Sequence, residues 1–144
     1  EESAEADILL HVVDLSSPNM ERQVEVVEGL IKEFNWEDKK ILHIFNKFDV
    51  APPDRQFRIK QFPRIFVSAL TGHGFEQLKR MMGEMINEMQ TQVEMYFSRT
   101  DEYKLYDLSR EAKIIRKEAA TEGTIILAMM TPTLINKWKD YLVK

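Results

Sequence analysis

Three short apolar runs, separated by stretches of helical periodicity, fill the first ninety residues, and this alternation limits the fold more than any other feature. Ala6-Asp7-Ile8-Leu9-Leu10-His11-Val12-Val13-Asp14 is nearly unbroken, the pattern of a strand covered on both faces of a parallel sheet. Ser16, Ser17, Pro18 and Asn19 end it and offer helix-start chemistry. Val24, Val27, Leu30, Ile31 and Phe34 then fall at three- and four-residue steps, one face of a helix. Lys40 to Phe45 reads as a second buried strand and Arg64 to Val67 as a third, with Pro52-Pro53 and a polar stretch to Phe62 between them. From Phe75 a long amphipathic helix carries Leu78, Met82, Met85, Ile86 and Met89. Strands alternating with helices in this way predict right-handed crossovers and a parallel sheet with helices on its faces.

The pattern changes near residue 92. Val93 to Phe97 reads as a strand, and Thr100 or Asp101 as the cap of a short helix bearing Leu105, Leu108 and Ala112. Ile114 to Ala119 and Thr124 to Met130 flank Thr121-Glu122-Gly123 as a hairpin. Pro132 opens a last helix with Leu134, Ile135, Trp138 and Leu142, proline being tolerated in a first turn. The expected organisation is therefore residues 1–91 as one α/β domain and residues 92–144 as a smaller α+β domain, strand-helix-strand-strand-helix.

Composition narrows the function classes. With 44% hydrophobic and 31% charged residues the chain can bury a core and is not disordered by composition. No window approaches a membrane span, and no secretory leader pattern is present at the start. The absence of cysteine excludes disulfides and thiolate metal sites and suits a reducing cytoplasm. Residues 1–91 hold 11 basic against 16 acidic side chains, and residues 92–144 hold 9 against 8, so neither part has the charge of a dedicated nucleic-acid binder. The start at Glu-Glu-Ser, without Met, is the expected look of a fragment or a processed product.

In an open parallel sheet, ligands sit beyond the carboxyl ends of the strands. Two polar signatures stand at such ends: Asn46-Lys47-Phe48-Asp49 after the second strand, and Ser68-Ala69-Leu70 after the third. Asn46 to Asp49 is readable alone as a turn, since Asn and Asp favour turns for local reasons. Together and in order they resemble the guanine-recognition pair of the P-loop GTPases, which implies a partial doubly wound sheet of that type. The chemistry suits the residue types. Guanine presents N1–H and a 2-amino group side by side, and a carboxylate such as Asp49 accepts both in a charge-assisted bidentate arrangement. Adenine has no such donor pair, and polar sites reject analogues of this kind by roughly 10⁴-fold or more. The resemblance further implies that Asn46 fixes the loop and contacts the base, and that the alkyl stem of Lys47 lies over the ring. It implies that the Ala69 N–H donates to the guanine oxygen, that Ser68 braces its loop, and that Leu70 completes that segment.

Other residues have plainer readings. Gly72 and Gly74 read as a turn and helix lead-in. His11, His43 and His73 are far apart in sequence and read as packed or surface residues, not ligands. The methionines from Met81 to Met89 read as core or interface residues, and Trp138 as an apolar anchor, with RNA stacking as the minor alternative. No G-x-x-x-x-G-K-[ST] loop can be formed from the five glycines, at 29, 72, 74, 83 and 123. No Asp is followed three residues later by Gly. The residues that cradle phosphates, hold Mg²⁺ and position water are therefore expected in a missing amino-terminal half. No catalytic residue and no metal ligand is expected in this chain, which alone is predicted inactive. Without a neighbour, the strand from Ile8 to Asp14 would also present an unpaired edge.

The match narrows with Ala4 to Pro18, Asn46 to Asp49 and Val67 to Gly74 taken together. These segments resemble the HflX-type GTPases, and Lys104-Leu105-Tyr106 with Ala120 to Thr124 is similar to the small carboxyl-terminal domain that some members carry. The resemblance implies a cytoplasmic protein that binds GTP and GDP, uses Mg²⁺ only with the missing phosphate-binding half, hydrolyses GTP when intact, and binds the large ribosomal subunit through rRNA and ribosomal proteins. Two alternatives stay open: a non-catalytic docking module for a ribosome or protein, acting through residues 92–144, and another ribosome-associated GTPase such as Era or a tandem-G-domain relative. A KH-type appendage is disfavoured, since no two glycines stand three apart.

Overall fold

The computed structural model describes residues 2–144 and divides into two compact units, one reaching to Glu84 and the other Met85–Lys144. After a short helix α1 (Glu2–Glu5), the first unit runs β1 (Ile8–Asp14), α2 (Met20–Glu33), β2 (Lys40–Asn46), a 3₁₀ turn at Arg55–Arg58 and β3 (Arg64–Phe66). The strands form a parallel sheet in the order β1-β2-β3. Register is set by matched apolar pairs: Val13 opposite Phe45, and Ile44 opposite Ile65. On one face, Val13, Leu15, Met20, Val24, Phe45 and Ile59 make the core, with α2 contributing Met20 and Val24.

The other face departs from expectation. Leu42 and Ile44 of β2 are buried, but their β1 neighbours Leu10 and Val12 are 44% and 62% exposed. The apolar run of β1 was expected to be covered on both faces; it is covered on one. β1 is also an outermost strand of the sheet, so among the described residues it has both an unpaired edge and an uncovered apolar face. Helix α3 (Phe75–Met89) forms as its periodicity predicts, yet none of its side chains is buried. Its methionines Met81, Met82, Met85 and Met89 are half-covered stripe residues, not core.

The second unit is built around an antiparallel sheet in the order β4-β6-β5, from β4 (Thr91–Ser98), β5 (Lys113–Ala120) and β6 (Gly123–Met130). β5 and β6 form the expected hairpin across Thr121 and Glu122. Helix α4 (Leu105–Glu111), preceded by a 3₁₀ turn at Glu102–Lys104, and α5 (Pro132–Lys137) cover one face. Met95, Phe97, Leu108, Ile126, Ala128, Met130 and Trp138 form the core. Phe97 stacks on Tyr141 at 4.5 Å, and Gly123 is required because a Cβ there would stand 2.1 Å from the Phe97 carbonyl oxygen. Thr131 caps α5 by accepting the Leu134 N–H, with Pro132 in the first turn. The last helix is shorter than the apolar spacing predicts. It ends at Lys137, a 3₁₀ turn follows at Lys139–Tyr141, and Leu142 instead bridges to Met95 on the outer side of β4.

Candidate functional site

The loops after β1, β2 and β3 are tied together by their backbones. The Asn46 carbonyl accepts the Leu15 N–H at 2.9 Å, and the Val67 carbonyl accepts the Phe48 N–H at 3.0 Å. Lys47 takes φ of 63°, the left-handed region, which costs a residue with a Cβ roughly 1–2 kcal/mol. Its carbonyl accepts the N–H groups of Val50 and Ala51 at 3.2 and 3.0 Å, closing a turn. The segment is therefore a turn in its backbone, and that turn leaves its polar side chains free to point elsewhere.

Those side chains fall into three arrangements. Asn46 Oδ1 accepts the backbone N–H of Ala69 at 2.9 Å, linking the two sequence signatures directly. Lys47 reaches back to β1, where its ammonium donates to Asp14 Oδ2 at 2.8 Å. Asp49 is exposed, and among the described residues its carboxylate makes no hydrogen bond or ion pair. Phe48, between Lys47 and Asp49, stacks on His73 with ring centres 5.0 Å apart and leans on Phe66 at 5.8 Å, fastening the loop after β2 to the loop after β3.

The second loop is held from within. Ser68 is fully buried; its N–H donates to the His73 carbonyl at 3.1 Å, and its Oγ accepts the Thr71 N–H at 3.2 Å. Gly74 has φ of 79°, and a Cβ there would meet the Phe66 carbonyl oxygen at 2.5 Å, so only glycine lets α3 leave so close to β3. Leu70 is 88% exposed at the loop tip.

Asp14 is a residue the sequence did not single out. Its Oδ1 accepts both the N–H and the Oγ–H of Ser16, at 2.9 and 2.6 Å, and its Oδ2 takes Lys47. The hydrogen bond from the Lys47 ammonium, then that from the Ser16 hydroxyl, holds its carboxyl below the ordinary range. Arg55 secures the same loop by donating to the carbonyls of Leu15 and Ser17. The only trace in the sequence is an acid closing an apolar strand, which is too common to stand out.

Chemically, the arrangement offers an open carboxylate able to accept two adjacent N–H groups, beside a lysine whose stem is drawn across to β1. The Ala69 N–H is already engaged, so a ligand oxygen approaching it must share it with Asn46 Oδ1 or displace that oxygen. Among the described residues no group of three or more His, Asp or Glu is placed to hold a metal. His11 and His43 do come together: their Nδ1 atoms lie 3.2 Å apart across β1 and β2. Burial lowers both from the usual 6.5, His43 lowers His11 further, and Glu28 opposes both shifts. Trp138 is a core residue whose Nε1–H donates to Glu111 at 3.2 Å. No helix among the described residues is long and apolar enough to cross a membrane.

The fold is thus α/β, part of a doubly wound parallel sheet of the P-loop GTPase type joined to a smaller α+β unit. Within that class the chain is similar, along nearly its whole length, to GTPases of the HflX type. It is 27% identical over 141 residues to the GTPase HflX of Lacrimispora saccharolytica, covering 97% of this chain and 33% of that protein. It is 30% identical over 140 residues to the GTPase HflX of Magnetococcus marinus, covering 95% of this chain and 32% of that protein. A GTPase Obg of Acidobacterium capsulatum is 29% identical over 102 residues, covering 61% of this chain and 30% of that protein. No family model matches the chain. The chain spans about a third of the length of the HflX relatives it matches.

Proposed function

We propose that residues 1–91 are the guanine-reading part of a GTP-binding domain and residues 92–144 a small appended domain, both belonging to a ribosome-associated GTPase of the HflX type. The observation that supports this reading is the 2.9 Å bond from Ala69 N–H to Asn46 Oδ1, which joins the two signature loops, the first of which also carries the exposed carboxylate of Asp49. In this reading Asp49 accepts the guanine N1–H and 2-amino group, and the Ala69 N–H turns to the ring oxygen. Lys47 covers one face of the ring, while Asn46, Ser68 and the exposed Leu70 shape the surrounding loops. The phosphates, Mg²⁺ and the attacking water belong to a segment outside these 144 residues. The relatives' names and the share of their length covered support this division of labour. The intact protein would hydrolyse GTP in the cytoplasm and bind the large ribosomal subunit.

Asp49→Asn in the full-length protein tests the assignment. Replacing the acceptor by an amide should weaken GDP and GTP binding by at least about 30-fold, the size expected for removing one partner of a charge-assisted pair. It should also shift preference towards xanthine nucleotides, whose extra ring oxygen can accept from the new amide. Unchanged GTP affinity in a calorimetric titration would overturn the site.

A further inference from the structure

We infer that Asp14 is a positioning residue of this site: it holds the Lys47 ammonium away from Asp49 and so keeps the Asp49 carboxylate open to the paired donors of a guanine ring. The inference rests on the guanine reading proposed above and adds a selectivity device to it.

Lys47 and Asp49 are two residues apart in one turn, with opposite charges and exposed side chains. Left to themselves, an ammonium and a carboxylate so placed attract each other, and that pairing would occupy the oxygens needed for base recognition. The structure contains a competing arrangement. Lys47 Nζ is bound instead to Asp14 Oδ2 at 2.8 Å, on a different strand, 33 residues away in sequence. Asp14 cannot simply swing with the lysine. Its other oxygen is fixed by two donors of Ser16, and Leu15 is bonded to the Asn46 carbonyl, so the acid and the lysine it holds share one stitched pair of loops. The pair is half exposed, at 54% and 35%, so fold stability gives little reason for it to exist. Holding a cation clear of a neighbouring recognition carboxylate does give one.

The test compares GDP with inosine diphosphate, which lacks the 2-amino group, in the full-length protein. Asp14→Asn keeps the side-chain shape and an oxygen for Ser16 but removes the charge that restrains Lys47. GDP affinity should fall by about three- to tenfold, and the preference for GDP over inosine diphosphate should shrink, because a quenched Asp49 no longer reads both donors. Asp14→Glu should restore much of that preference. Combining Asp14→Asn with Lys47→Met should remove the effect of the Asp14 change, since no ammonium remains to reach Asp49. A role in folding alone would lower both affinities equally and would persist in the Lys47→Met background; either result overturns the inference. The wild-type protein and Asp49→Asn separate the two levels. If the wild type does not distinguish guanine from adenine nucleotides, the guanine reading itself fails. If Asp49→Asn abolishes a clear preference that Asp14→Asn leaves intact, the role of Asp14 alone fails.

Discussion

β1 and β5 are both outermost strands, and they are finished in different ways. β5 carries Lys113, Arg116, Lys117 and Glu118 and is broken by an irregularity between Ile114 and Arg116, where Ile115 is left without a partner. Charges and bulges of this kind discourage a further strand from adding on. The opposite margin of that sheet, along β4, is closed by the Met95–Leu142 bridge and by Val143 N–H donating to the Glu94 carbonyl at 2.9 Å. β1 has none of these devices. It is seven residues of Ile-Leu-Leu-His-Val-Val-Asp in unbroken register with β2, charged only at its end, with Leu10 and Val12 uncovered. The antiparallel unit is a finished sheet with a sealed core, whereas the parallel unit ends as though another strand belongs beside it. That contrast agrees with the proposal that the phosphate-binding half lies outside these residues.

The largest expected effect separates the two units by their cores. Phe97→Ala removes a fully buried ring from the second unit and should cost about 3–5 kcal/mol. Val12→Ala removes exposed apolar surface from the first and should change stability by less than about 0.5 kcal/mol. The two tryptophans report separately, since Trp36 lies in the first unit and Trp138 in the second. Urea titrations followed by each in single-tryptophan variants would measure both losses. Equal losses would mean that β1 is better covered than its exposure indicates.

A smaller effect follows from histidine. All three histidines, at 11, 43 and 73, lie in the first unit. His11 and His43 have lowered pKa values in the folded state, so the unfolded chain takes up protons first as pH falls. The stability they support is complete above their ordinary value of 6.5 and is lost as pH drops below it. The Nδ1–Nδ1 contact at 3.2 Å works in the same direction, because one of the two rings must remain neutral to accept. In the second unit the shifted carboxyl is Glu111, lowered first by Lys137 and then by Trp138, so its stabilisation is lost only below its ordinary 4.5. Between pH 7.5 and 5.5 the midpoint reported by Trp36 should fall while that reported by Trp138 stays level. A parallel fall in both would remove the distinction.

What could be read from the sequence follows the range of each interaction. Strand-helix alternation, the Thr121-Glu122 hairpin and the two strand-end loops depend on local spacing, and each is where the residues placed it. The apolar run at β1 was legible as a strand but not as a half-covered one, because Leu10 and Val12 read alike whether or not this chain supplies their cover. The His11–His43 contact, the Asp14–Lys47 pair and the Asn46–Ala69 bond span 32, 33 and 23 residues and depend on register, which no local pattern encodes. Leu142 misled for a related reason. Its spacing from Leu134, Ile135 and Trp138 fits a helix, but Trp138 leaves helical geometry at φ −102° and ψ 16° and sends Leu142 to β4.

The smallest effect on folding bears most directly on the unfinished edge. An uncovered apolar strand of this length should template pairing between copies, so the 144-residue chain should self-associate as its concentration rises. Val12→Lys places a solvated charge at the middle of β1, where the side chain is already 62% exposed, and should suppress association while leaving the unfolding midpoint nearly unchanged. Ile115→Lys is the matched control. Its position on β5 is 47% exposed but sits at an irregular, charged edge, so association should be unaffected. Sedimentation velocity over a hundredfold concentration range distinguishes the cases. A chain that stays monomeric throughout, or that loses association equally with either lysine, would mean that the two edges do not differ as their residues indicate, and β1 would need no neighbour to be complete.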